Sequence, residues 1–185
     1  MKPLKVFGII IGVFVWIGIG IVVYKFTSGS PETFVYEGKE VPERFLKTIK
    51  SLGLLQPGEE LKYFYSDAIF DIKEGMYCVT DRNIALYSND WEAQKAIVPF
   101  EKVVKVEVEY NPSFFEDSYV TVHTEDFVHF FPLSSDKGRD KKCIEYILSK
   151  TPEIPGQEPR EEFLEKIFNK NPLTPEPDLD PDPEE

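Results

Sequence analysis

The sequence has little of what metal, redox and hydrolytic chemistry is built from. Two cysteines and two histidines occur in 185 residues, too few to compose a zinc-type ligand set. No Gly-rich phosphate loop, no G-x-S-x-G elbow and no H-E-x-x-H motif is present. Positive charge is also scarce. Lys and Arg number 21 against 33 Asp and Glu, a net charge of −12, so there is no counter-charge for a phosphate backbone and nucleic acid is excluded as a partner. Methionine is rare as well: two, beside fifteen Phe and nine Tyr, which points to a β-rich core rather than a helical bundle. No enzyme activity, metal site or cofactor is expected.

What is present divides into regions of different charge. Residues 1–57 carry net +3, residues 58–150 net −7 and residues 151–185 net −8. Val6 to Tyr24 are 19 residues without a charge or a polar amide, about 28 Å of helix at ~1.5 Å per residue, close to the hydrocarbon thickness of a bilayer. Lys2 and Lys5 precede the run, and Tyr24, Lys25 and Phe26 close it as interfacial anchors. It exceeds the roughly 7–15 apolar residues of a signal peptide, and Thr27-Ser28-Gly29-Ser30 makes a poor cleavage site. The reading is an uncleaved single-pass anchor. The balance of Lys and Arg at its flanks favours an inside N-terminus, which puts the main domain outside the cytoplasm.

The chain then reads as a membrane anchor and linker over 1–31 and a spacer over 32–57. A folded domain over 58–150 and an acidic, Pro-rich tail over 151–185 follow. In the spacer, Phe45, Leu46, Ile49 and Leu52 recur at helical spacing, with Pro42 in the first turn and Gly53 placed to end the helix. Gln56-Pro57-Gly58 is a turn. Seven strands are expected next. The first starts at Leu61, alternating Leu61, Tyr63 and Tyr65 with Lys62 and Phe64, and reaches toward Ile72; the others cover Met76–Thr80, Ile84–Ser88, Gln94–Phe100, Val103–Tyr110, Tyr119–Thr124 and Phe127–Leu133. In Val103–Tyr110 the residues Val104, Val106, Val108 and Tyr110 form one buried face opposite Lys105, Glu107 and Glu109. Ser134-Ser135-Asp136 is placed to cap a helix through Leu148, with Cys143, Ile144, Ile147 and Leu148 on its apolar side.

Seven antiparallel strands and a helix in this order resemble the pleckstrin-homology (PH) superfold, and more closely its GRAM and bacterial PH-like branches. The residues that carry the resemblance run Gly75-Met76-Tyr77-Cys78-Val79-Thr80-Asp81-Arg82-Asn83-Ile84-Ala85-Leu86-Tyr87, followed by Ile97-Val98-Pro99-Phe100 and Val103-Val104. The fold this implies is mainly β, a seven-stranded antiparallel open barrel with a C-terminal helix, here preceded by a single transmembrane helix. PH domains that grip phosphoinositides place several Lys or Arg beside the loop after the first strand. The corresponding Ser66–Glu74 holds Asp67, Asp71 and Glu74 and only Lys73, so phosphoinositide binding is not expected.

The remaining candidates are few. His123 and His129 lie on the two arms of one hairpin; a two-residue turn would send them to opposite faces and a three-residue turn to one face. Cys78 and Cys143 are read first as buried free thiols, with a disulfide as the second reading if the domain lies outside the cytoplasm. Trp91, with Phe114 and Phe115, stands on two loops that leave the same end of the sheet; the first reading is that one or more fold back to close the barrel end, and the second that the three form a rim for a partner. The expected function is a membrane-anchored, non-catalytic binding module for a protein or peptide. Lipid-surface sensing is the alternative, and an enzyme with an unrecognised site a lower one. In the tail, Glu161–Phe168 has a helical apolar stripe too short to stand alone, so it docks on the domain or on a partner. Thr174–Glu185 has the composition of a disordered segment.

Overall fold

The computed structural model describes Trp16 and residues 31–113, 116–152 and 159–169. Two antiparallel sheets form the frame. The first has strand order β1-β2-β3-β4-β5, built from Tyr36–Glu37, Leu61–Tyr65, Met76–Thr80, Asn83–Tyr87 and Lys95–Pro99. The second has order β6-β7-β8, built from Lys105–Glu109, Ser118–His123 and Val128–Leu133. Among residues 31–169 as described, three α-helices accompany them: α1, Glu43–Ser51; α2, Arg139–Lys150; and α3, Arg160–Asn169. The meanders β2–β5 and β6–β8 followed by α2 give the mainly β, antiparallel fold with a helix after the strands that the order of elements led one to expect, with eight strands in two sheets among the described residues in place of seven. Among the described residues no helix is long and apolar enough to cross a membrane. The Val6–Tyr24 run lies outside the described residues except for Trp16.

Two apolar layers share the first sheet. Tyr77, Val79, Ile84 and Leu86 face the barrel interior, where they join Val120, Val122, Phe131 and the Cys143, Ile144 and Ile147 side of α2. Phe64, Met76, Cys78 and Ala85 face outward and are covered by Tyr36, Phe45 and Ile49. The segment read as a spacer therefore supplies both a strand and a helix to the fold. Because α1 roofs the outer face, every residue of β3 is buried; a sheet covered on both sides shows no alternation of apolar and polar residues. Gly53 takes φ +67° just beyond α1, the left-handed conformation that glycine enters at a helix C-terminus.

Four local expectations are corrected. The first long strand ends at Tyr65 instead of reaching Ile72. Ser66 Oγ donates to the Gly75 carbonyl at 2.6 Å and accepts from the Ala68 amide at 3.3 Å, and Asp71 Oδ1 accepts from the Lys73 amide at 3.1 Å. Such side-chain bonds compete with the ladder and turn the chain. Second, a register shift between Leu61 and Tyr63 puts Leu61 and Phe64 on the outer face together, so the regular alternation of this strand fails at a bulge. Third, a 3-10 turn at Phe100–Lys102 delays β6, so Val103 takes the buried site and Val104 is left exposed. Fourth, Ser134-Ser135-Asp136 leads into a 3-10 turn, Asp136–Gly138, with Lys137 and Gly138 at positive φ, and α2 starts only at Arg139. The apolar residues assigned to that helix are buried as expected.

The tail helix α3 docks on the domain itself. Phe168 meets Tyr110 edge-on with ring centroids 4.9 Å apart, and Phe163 and Leu164 pack against the barrel core. Arg160 donates to the Thr151 carbonyl at 3.0 Å. Residues 170–185 lie outside the described residues.

Candidate functional site

Antiparallel pairing gathers the connections after β2, β4, β6 and β8 at one end of the barrel. Hydrogen bonds stitch them together. The Asn89 amide donates to the Lys73 carbonyl at 2.9 Å, Ser88 Oγ to the Glu74 carbonyl at 2.6 Å, and Ser135 Oγ to the Ser113 carbonyl at 2.6 Å. Tyr65 donates to Asp117 at 2.9 Å and Tyr77 to Asp67 at 3.0 Å. Burial, with the facing carboxylates, pushes both tyrosine hydroxyls well above their usual range, so they stay protonated donors.

Three apolar side chains stand out at this end: Ile69 at 71% exposure, Phe70 at 53% and Trp91 at 37%. Of the rim expected from the sequence, Trp91 is exposed on its loop, while Phe114 and Phe115 lie outside the described residues. Ile69 and Phe70 were hidden in the sequence by the extension of the first strand toward Ile72. A turn signal at Ser66 and Asp71 would have placed them at a loop tip.

A second apolar surface lies on the outer face of the β6–β8 sheet. Val128 is 61% exposed and Phe130 55%, while Phe127, 67% exposed, precedes the strand and turns to the opposite face beside His129, with ring centroids 6.2 Å apart. Tyr119 stacks on Phe130 with ring centroids 5.0 Å apart and planes within 10°. β8 is an edge of its sheet, with no described strand beyond it. The Thr124 amide donates to the Phe127 carbonyl at 2.8 Å, and the register runs Val122 opposite His129 and Val120 opposite Phe131. In an antiparallel ladder that pattern turns the N–H and C=O groups of Val128 and Phe130 to the free edge. Glu107 accepts from Lys105 and meets His123 Nε2 at 2.8 Å on the same face. Glu109 lies further along β6, and Glu125 and Asp126 form the hairpin turn, so the surroundings are acidic.

Between the β6–β7 connection and the sheet is a cleft of about 440 Å³ lined by Glu109, Tyr110, Asn111, Glu116, Asp117 and Tyr119. Behind it Asp140, fully buried in the first turn of α2, accepts from Ser118 Oγ at 2.7 Å, and Ser118 Oγ accepts from the Asn111 amide at 3.0 Å. Burial raises the Asp140 carboxyl above the usual carboxylate range, against the opposing pull of Ser118 and the helix amides. Asp117 is raised by burial too, with the Tyr65 hydroxyl pulling it down.

The histidines and cysteines do not converge. His123 sits opposite Val128, and His129 opposite the buried Val122, so the two imidazoles point to opposite faces. Burial lowers the pKa of His129. Both cysteines are free and buried: Cys78 lies under α1 on the outer side of the first sheet, Cys143 in the barrel core. The disulfide reading is thereby corrected, since the sheet separates the two thiols. Burial pushes both thiols up, so neither is a thiolate at neutral pH.

No family model matches the chain. No curated protein matches it either. Among solved structures it is similar to a protein with a pleckstrin-homology domain from Shewanella loihica, at 18% identity and TM-score 0.43, covering 64% of this chain and 98% of that one. It is also similar to a pleckstrin-homology domain from Shewanella amazonensis, at 15% identity and TM-score 0.39, covering 57% and 97% respectively.

Proposed function

We propose that the chain is a non-catalytic binding module, held on a membrane by residues 6–24, that takes an extended segment of a protein partner along β8. The observation that carries this reading is the pair Val128 and Phe130, exposed on one face of a strand with a free edge. Soluble domains rarely leave such an edge both apolar and open. An added strand would take main-chain bonds from Val128 and Phe130 and seat alternate side chains beside Phe130 and Tyr119. The neighbouring Glu109, Glu125 and Asp126 favour a partner segment in which apolar residues alternate with Lys or Arg. Protonated thiols, and an imidazole already engaged by Glu107, support the non-catalytic reading. The finer GRAM-like or bacterial PH-like placement rests on the pattern from Gly75 to Tyr87.

Synthetic peptides of alternating Val and Lys, titrated into the protein while amide resonances are followed, test the reading. Shifts and exchange protection should concentrate on residues 127–132. Phe130→Ser should abolish them while costing only the pair with Tyr119, about 0.5–1.5 kcal/mol. Equal binding by that variant would remove β8 as the site.

A further inference from the structure

The N-terminal strand fixes where the chain comes into the domain. β1 runs antiparallel to β2 with Tyr36 opposite Phe64, so the residues before Tyr36 lead to the end of the barrel where Ser66 opens its loop. Phe34 is held there, with Lys137 Nζ 3.4 Å from its ring centroid and the Arg139 guanidinium 5.0 Å away. Arg139 also donates to the Val35 carbonyl at 3.2 Å and to the Glu40 carboxylate at 3.1 Å. Ile69, Phe70 and Trp91 project at this same end. The carboxylates around Ile69 and Phe70 are turned onto that loop's own donors: Glu74 accepts from the Ile69 amide at 3.1 Å, Asp71 from the Lys73 amide at 3.1 Å and Asp67 from the Tyr77 hydroxyl at 3.0 Å. The Ile69–Phe70 tip is left apolar, and Trp91 stands between the exposed Asp90 and Glu92.

We infer that this loop end rests on the bilayer interface, with Ile69, Phe70 and Trp91 seated in the headgroup and upper acyl region of a neutral membrane. The inference rests on the proposal that residues 6–24 span a bilayer. Seven residue steps separate Tyr24 from Pro31, and at ~3.3–3.6 Å each they reach at most about 25 Å. About 6 Å of that is used in crossing the headgroup layer. The remainder is shorter than the domain, whose six-residue strands alone run about 20 Å before their loops are added. The tether therefore holds the Phe34 end toward the lipid and keeps the β7–β8 turn away from it. Tryptophan favours the membrane–water interface, and Ile and Phe bury apolar surface there. Asp67, Asp71, Glu74, Asp90 and Glu92 around the tips oppose an anionic leaflet, which selects zwitterionic lipid.

The chain has two tryptophans, and this makes the test direct. The full-length protein with Trp16→Phe, reconstituted into phosphatidylcholine vesicles, reports Trp91 alone. Its emission should be blue-shifted and quenched by lipids brominated high on the acyl chain. Adding Ile69→Ser and Phe70→Ser should reverse much of both effects. A companion Trp91→Phe protein reports Trp16 within the proposed span. If Trp16 is quenched and Trp91 is not, the docking inference is overturned and the span stands. If neither is quenched, the span reading fails and the docking inference falls with it. Quenching of Trp91 only after anionic lipid is added overturns the neutral interface. A Trp91 shielded from aqueous acrylamide yet untouched by brominated lipid points to a protein occupant and overturns the inference as well.

Discussion

Asp140 shows how one side chain holds the β6–β7 connection. Its carboxylate takes the Ser118 hydroxyl, which in turn receives the Asn111 amide, so a buried chain of two bonds ties the loop to the start of α2. The folded carboxyl titrates above its unfolded value because burial disfavours the charge. A group raised in this way contributes stability that is fully present below the unfolded pKa and is lost as pH rises through the folded one. Asp140→Asn keeps an acceptor for Ser118 and removes the buried charge. Denaturant midpoints of this variant should equal or exceed those of the parent at neutral pH, with a weaker decline from acidic pH upward. Asp140→Ala should lose about 1–3 kcal/mol, because Ser118 is left without its acceptor. Equal loss in both variants would mean that the charge itself is needed.

Gly38 makes a different residue-scale point. Its φ is not positive, yet a Cβ placed there would lie 1.8 Å from the Leu61 carbonyl oxygen. The 3-10 turn Gly38–Glu40 crosses that carbonyl beside the bulge that displaces Leu61. Gly38→Ala should therefore cost about 1–3 kcal/mol through overpacking. Thermal melting checks this, and an unchanged midpoint would show that the crossing can relax.

At the scale of elements, α1 is the part whose role composition alone does not reveal. Phe45 lies 6.0 Å from Phe64 and 6.2 Å from Tyr36 between ring centroids, and Ile49 is fully buried beside them. Emptying a core Phe site costs about 3–5 kcal/mol, against domain stabilities of roughly 5–15. Phe45→Ala should accordingly lower the midpoint of the whole domain in one cooperative transition, followed by near-ultraviolet circular dichroism. A separate early transition would show α1 to be an independent appendage. α3 is held more lightly, by one buried isoleucine and aromatic contacts at its flank. Phe168→Ala removes an aromatic pair worth about 0.5–1.5 kcal/mol and should raise hydrogen exchange in residues 160–169 while leaving β2–β4 protected.

At the scale of the molecule, charge and hydropathy divide the labour. An uncharged run of 19 residues precedes an acidic domain whose apolar loop tips lie at one end and whose apolar edge strand starts from the other. In the proposed arrangement one end rests on lipid and the other is presented to a soluble partner. Full-length protein should then stay with membranes after carbonate washing. Ile11→Lys and Ile17→Lys should each weaken insertion by roughly 2.5–3.5 kcal/mol, read as protein released to the supernatant. A soluble product beginning near Ser30 would identify the run as a cleaved signal.

The sequence by itself determined the succession of strands from Leu61 to Leu133, the turns at Gln56–Gly58 and Asp81–Asn83, the helix at 43–51 and the apolar side of α2. Each of these is set by local chemistry: backbone-restricting residues at turns, and a period of two or of about 3.6 along the strands and helices. Tertiary structure alone decided which face of the first sheet each residue took. The bulge at Lys62 and the roof of α1 make Phe64 and Cys78 core residues of a second layer, and no periodicity encodes a cover supplied by another segment. The candidate surfaces divide in the same way. The sequence singled out Trp91 as a lone aromatic among polar loop residues, but Ile69 and Phe70 read as strand interior until the Ser66 and Asp71 side chains turned that segment into a loop. Val128 and Phe130 read as part of an ordinary strand. Their exposure follows from β8 lying at the edge of its sheet with nothing described packed on its outer face, which is a property of strand neighbours in space and not of residue order.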